Sequence, residues 1–255
     1  MKFLFLNLIF LLSTISTLSH AERYTGRIDF VNRVTLGTTI SGKIKTVNVA
    51  PGDHVKKNQT LIVLDPTPFQ AQSDKFKAEL QYVKAELRKA KRDLVHAQEL
   101  YDRAALSTVF LEDAKIRVEQ TAALILKAKA DLRLANYNLE QSKIIAPFDA
   151  WVINLNAIQQ QSIVNNLQTQ SLVTLATANK YAVYLNVPLS TAKSLRNKKA
   201  VKVLVDDMNF SGVITTLSLD GKITKDNHEP YYELTVEFES NTQRYVAGES
   251  ATIEL

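Results

Sequence analysis

Four histidines, two methionines and no cysteine are the only soft or neutral-pH ligands in this 255-residue chain. His54 stands beside the turn Pro51-Gly52-Asp53, His96 within a helical pattern, and His228 in a polar stretch that reads as a loop. None has a partner at metal-ligand spacing. Asp206-Asp207 reads as a turn pair and Asp220-Gly221 as a hairpin turn. Hydrolase or metal-enzyme chemistry therefore has no assembled set of groups. Met208 is the one methionine outside the N-terminal stretch, too few for a Met-lined copper site. Without Cys there is no disulfide, thioether lipid anchor or Cys metal site. What the chain does offer is a contact surface. Leu100, Arg103, Leu106 and Ser107 gather near the midpoint of a long helical stretch, off its apolar seam. Exposed apolar residues flanking a cap serine suit docking of another protein's helix ends.

That stretch runs from about Phe69 to Ser142 and must position those residues. In its first half, Phe76, Leu80, Val83, Leu87, Ala90, Leu94, Ala97, Tyr101 and Ala104 are spaced alternately four and three apart. In its second half, Leu111, Ala114, Val118, Thr121, Ile125, Ala128, Leu132, Ala135 and Leu139 repeat the spacing. This is the seam of a coiled coil, and no Gly or Pro interrupts it. The seam positions pair at a constant sum of 215, as in an antiparallel hairpin folding between Ser107 and Thr108. Most such pairs set a large residue against a small one. Ser107 and Thr108 are good N-cap residues for the returning helix. Each arm would be roughly 50–55 Å long. The register match disfavours the competing arrangement, a dimer of separate long helices.

Met1-Lys2, the apolar run Phe3–Leu12 and a polar stretch ending Ser19-His20-Ala21 have the three parts of a secretory signal, with cleavage expected after Ala21. The run is short for a membrane span; retention as an anchor is the alternative. The overall charge of +5 is spread out. Over residues 67–143, 14 Lys/Arg interleave with 11 Asp/Glu and no aromatic platform, so nucleic-acid binding has no support. Residues 34–66 are β in character, and Asp65-Pro66-Thr67-Pro68 stops the strand Leu61–Leu64 and launches the first helix. After the hairpin, Ile158–Val164 echoes Val49–Val55 and Ser171–Leu175 echoes Thr60–Leu64, a weak internal repeat. Tyr181–Val187, Ala200–Val205, Phe210–Leu217, Tyr231–Glu239 and Ser250–Leu255 read as strands, with a short helix over Leu189–Arg196. Tyr24–Phe30 is a sixth strand able to close a small barrel.

The stretch Ile40-Ser-Gly-Lys-Ile-Lys-Thr-Val-Asn-Val-Ala-Pro-Gly-Asp-His-Val-Lys-Lys-Asn-Gln-Thr-Leu61 resembles the first half-lipoyl motif of the periplasmic adaptors, or membrane fusion proteins, of the HlyD family. Lys143-Ile-Ile-Ala-Pro-Phe-Asp149 resembles the start of the second half-motif. Leu100-Tyr-Asp-Arg-Ala-Ala-Leu-Ser107 resembles the hairpin tip, and Val246-Ala-Gly-Glu-Ser-Ala-Thr-Ile-Glu254 the closing barrel strand. The expected fold is α+β, elongated and multidomain: a long antiparallel α-helical hairpin inserted in a lipoyl-like β-sandwich, plus a small antiparallel β-barrel. The expected segments are a signal at 1–21, the first barrel strand at 22–33, half-sandwiches at 34–66 and 144–179, the hairpin at 67–143 and the barrel at 180–255.

The resemblance implies a non-enzymatic, cofactor-free periplasmic subunit. It would bridge an inner-membrane transporter, an RND pump or an ABC exporter, to a TolC-type outer-membrane channel. It would act as a homo-oligomer, a hexameric ring in the complex, with the tip on the channel and the barrel on the transporter. A periplasmic coiled-coil scaffold outside transport is the alternative. The family's tip pattern places an Arg where His96 stands, then Leu100 and Ser107; Arg103 lies one turn nearer the tip as a substitute. Ala150-Trp151, Gln161 and Asn58 replace turn glycines, and Asn tolerates positive φ better than most residues. Against the family's domain order, no membrane-proximal domain is expected. A lipoyl or biotinyl carrier would need a modifiable Lys in a tight turn where the hairpin sits, and export removes the chain from the cytosolic ligase.

Overall fold

A computed structural model describes residues 22–165, 170–195, 199–224, 227–240 and 243–255. The expected signal at 1–21 lies outside them. The chain divides into two compact units. One runs from Asn32 to Ala178; the other joins the N-terminal strand, through Val31, to Asn179–Leu255.

In the first unit, apolar residues alternating with polar ones build two four-stranded sheets. One has the order β2-β9-β7-β4, from Arg33–Leu36, Val173–Thr177, Ala150–Leu155 and His54–Val55. The other has the order β6-β5-β3-β8, from Lys143–Ile145, Thr60–Leu64, Gly42–Val47 and Ser162–Ile163. Each sheet draws strands from before and after the hairpin. Ile44, Val55, Leu61, Leu64, Val152, Ile163 and Leu175 close a shared core at 0–1% exposure.

The internal repeat is visible at atomic detail. Ala50 N–H donates to Asp53 Oδ2 at 2.8 Å, and Ile158 N–H donates to Gln161 Oε1 at 3.1 Å. Gln161 thus matches Asp53, one place off the alignment expected from sequence. The turn glycine's counterpart is Gln160 (φ 71°, against 91° at Gly52), not Gln161. Asn58 does take positive φ, at 66°.

The hairpin grows from the second sheet. β5 and β6 pair, Ile62 facing Ile144, and Leu64 N–H donates to Ser142 O at 2.8 Å. Both ends of the hairpin therefore leave from neighbouring strands. At the start of α1 (Thr67–Asp102), the Asp65 carboxylate accepts the Thr67 hydroxyl at 2.7 Å and its N–H at 3.1 Å. Those two bonds hold the Asp65 pKa below the ordinary carboxylate value. α2 spans Thr108–Gln141. Every expected seam residue from Phe76 to Ala97 and from Leu111 to Leu139 is buried or half-buried, whereas Tyr101 and Ala104, the last two of the first seam, are exposed because the chain leaves the helix there.

The pairing differs from the expected one. Ser73 Oγ donates to Asn136 Oδ1 at 2.6 Å across the helices, so facing residues add to about 209. The helix ends agree, with Asp102 and Thr108 flanking the turn. The fold point is therefore near Ala105, not between Ser107 and Thr108, and Leu80 stands level with Ala128 or Lys129 rather than Ala135. An apolar repeat fixes which residues face inward, but sliding one helix by two turns preserves it.

The second unit is a closed six-strand barrel. β1 (Arg23–Phe30) lies between β10 (Lys180–Pro188) and β15 (Ser250–Glu254); β11 (Ala200–Val205), β12 (Met208–Leu217) and β14 (Asn227–Glu239) follow. Pairing of β10 with β14 closes it. Ile28, Val183, Val203, Leu234, Val236 and Ile253 fill it, and Tyr181 stacks on Phe238 at 5.6 Å. α3 (Leu189–Ser194) follows β10. Asp206, at φ 50°, makes the expected turn. Two expectations change. His228 lies in β14, not in a loop, and Asp220-Gly221 bends the chain from β12 to β13 (Lys222–Thr224), strands that do not pair with each other.

Candidate docking site at the hairpin tip

Five residues, Arg103–Ser107, reverse the chain. Ala105 N–H donates to Leu100 O at 2.9 Å and Ala104 N–H to Tyr101 O at 2.8 Å. These are the two bonds of a Schellman cap, with Ala104 in the left-handed region at φ 56°. Glycine normally fills that position, because a Cβ there costs about 1–2 kcal/mol. Ala104→Gly is therefore expected to raise stability by about 1 kcal/mol without changing the tip, read from denaturant melts. A fall in stability would show that the cap is not formed in solution.

Ser107 occupies the N-cap position of α2 with extended backbone (φ −80°, ψ 157°), and Leu111 N–H donates to its carbonyl. Its hydroxyl makes no capping bond, contrary to the role expected from sequence. The side chain is exposed and α2 begins with no acidic residue in its first turn. The free N–H groups and the positive end of the helix dipole at this point favour an acceptor from outside.

Leu100 and Leu106 are half-buried; His96 and Arg103 are exposed and have no ion pair among the described residues. Two further residues complete the apolar surface. Val109 and Phe110 are 68% and 62% exposed in the first turn of α2. Sequence reasoning missed them because the expected fold point placed the tip after Ser107 and drew attention to the first arm. Their signal was an apolar pair lying just before seam residue Leu111.

Elsewhere the candidate chemistry stays dispersed. The His54 ring meets Trp151 edge-on at 4.9 Å, and the described residues hold no group of three or more His, Cys, Asp or Glu placed for a metal. No described helix is long and apolar enough to cross a membrane.

A family model described as "RND MFP, barrel-sandwich hybrid domain" matches residues 32–176. The chain belongs to the membrane fusion protein family. Macrolide export protein MacA of Yersinia pestis is 32% identical to this membrane fusion protein over 207 residues, 74% of this chain and 56% of that one. The membrane fusion protein Spr0693 of Streptococcus pneumoniae R6 superposes with a TM-score of 0.71 at 15% identity, covering 91% of this chain and 97% of that one. MacA from Actinobacillus actinomycetemcomitans superposes at 0.66 and 21% identity, covering 91% and 78%. These two likenesses are of fold. The chain spans about half the length of the curated relatives it matches.

Proposed function

We propose that this membrane fusion protein is a non-catalytic periplasmic adaptor joining an inner-membrane transporter, an RND pump or an ABC exporter, to a TolC-type outer-membrane channel. The observation that carries the reading is the tip: exposed Phe110 and Val109 and an uncapped Ser107 at the end of a hairpin rooted in two adjacent strands. A Gly- and Pro-free coiled coil of roughly 50 Å carries that surface away from its base with no residue type that would kink it. The name of the Yersinia relative, a macrolide export protein, fits the same role.

The ring of copies, hexameric in this proposal, has support along the hairpin. Ile116, Leu126, Leu134 and Tyr137 are 47–67% exposed on α2. They turn away from the seam over about three heptads, a stripe suited to a second hairpin of equal length.

Capture tests the reading directly. The chain has no Cys, so Phe110→Cys gives a single attachment point for a photo-crosslinker in living cells. An outer-membrane channel protein is expected among the products, and a transporter among those from a barrel position. Recovery of neither would count against an adaptor role. The proposed location has its own check. N-terminal sequencing is expected to begin at Glu22, and an intact Met1 in the membrane fraction would sink the cleaved-signal proposal.

A further inference from the structure

The outward face of the barrel holds a groove of about 920 Å³. Two backbone features lie in its walls. β12 carries a bulge between Ile214 and Thr216, which bends the strand and increases its twist. On β1, Gly26 lets the chain close on β10: a Cβ there would lie 2.6 Å from both Tyr184 O and Val183 Cγ1. Outward-pointing residues then line the hollow in cross-strand rows. Arg27 stands opposite Tyr184, Tyr184 opposite Thr235, and Thr235 opposite Thr216. One step along, Asn186 stands opposite Glu233.

The lining carries one cation, Arg27, and one carboxylate, Glu233, whose partner lies outside it. Glu233 already accepts Lys222 Nζ at 2.6 Å. The Arg27 guanidinium has no ion-pair or hydrogen-bond partner among the described residues, which leaves one uncompensated cation in the groove. Beside it the Tyr184 side chain is 49% exposed, and the Asn186 amide and five Ser/Thr hydroxyls complete the polar wall.

We propose that this groove binds an organic oxyanion with a flat apolar body. The planar guanidinium of Arg27 takes a carboxylate or phosphate through paired N–H donors. The body lies against the Tyr184 ring, and its polar substituents reach Asn186 and Thr235. The site is confined to the barrel unit and does not depend on the adaptor reading.

Four probes titrated against the purified protein by calorimetry test it: salicylate, phenyl phosphate, inorganic phosphate and benzyl alcohol. Saturable binding is expected for at least one aromatic anion, and which one binds separates carboxylate from phosphate recognition. Inorganic phosphate is expected to bind at least about tenfold more weakly, and benzyl alcohol not at all. Arg27→Gln is expected to weaken the aromatic anion by at least about tenfold. Tyr184→Ala is expected to bring it down to the level of inorganic phosphate. Arg27→Lys, which keeps the charge but loses the fork, serves as a second variant if Arg27→Gln lowers the melting temperature. No saturable binding of either aromatic anion, or binding unchanged in the Arg27 variants, overturns the proposal.

Discussion

The double variant Leu100→Asp, Ser107→Arg is expected to lose export and crosslinking to the outer-membrane channel while keeping its helicity and melting temperature. Ser107 is exposed and its hydroxyl makes no cap bond, so the substitution removes nothing the fold uses. Leu100 contributes its carbonyl to the Schellman cap, which any side chain leaves in place, and its own side chain is only half-buried. A docked partner sees something different. A carboxylate and a guanidinium would enter a desolvated contact without partners, a change that costs interfaces roughly 2–5 kcal/mol, or upwards of about thirtyfold in affinity. Phe110→Asp makes the same test from α2, at a side chain 62% exposed. Export that persists with normal amounts of folded protein would show that the tip is not the contact point. A loss of helicity would favour the competing view, in which Leu106 plugs the turn and Ser107 serves only the fold.

The fold class was legible because each of its parts has its own period. Alternation marked the strands, and an unbroken four-three spacing marked the helices and their buried residues, except Tyr101 and Ala104 at the tip end of the first seam. What was not legible was set by single backbone positions. The first helix stops at Asp102 because Ala104 turns left-handed, and alanine gives no notice of that. A five-residue reversal then moved the fold point by two to three places and the facing pairs by about six. The same blindness displaced the repeat: Gln160, a residue with no preference for positive φ, holds the place of a turn glycine. At the tip the error had a cost, since reading the turn late hid Val109 and Phe110 on the returning helix.

The seam gives the sharpest test of folding, and the corrected pairing leaves its logic intact. Ala128 is 4% exposed on α2, level with Leu80 and close to Val83, themselves 8% and 6% exposed. Ala128→Glu would bring a longer side chain and a carboxylate into that layer, where no cation lies on the facing seam. Overpacking costs about 1–3 kcal/mol, and an unpaired buried charge adds to it unless the group takes up a proton. A loss of roughly 3–5 kcal/mol is expected, enough to open the middle of the hairpin. Its neighbour is the control. Lys127 is 75% exposed and meets Asp131 at 3.7 Å in an exposed i,i+4 pair. Lys127→Glu exchanges that attraction for repulsion at the surface, worth no more than about 1 kcal/mol. Circular dichroism melts of the two variants make the comparison. The size of the loss at Ala128 also depends on pH: a glutamate buried there has its pKa raised, so the variant regains part of its stability as the solution is acidified and the group becomes neutral. Equal destabilisation by the two substitutions, or a loss at Ala128 that acid does not relieve, would place that alanine outside an apolar layer.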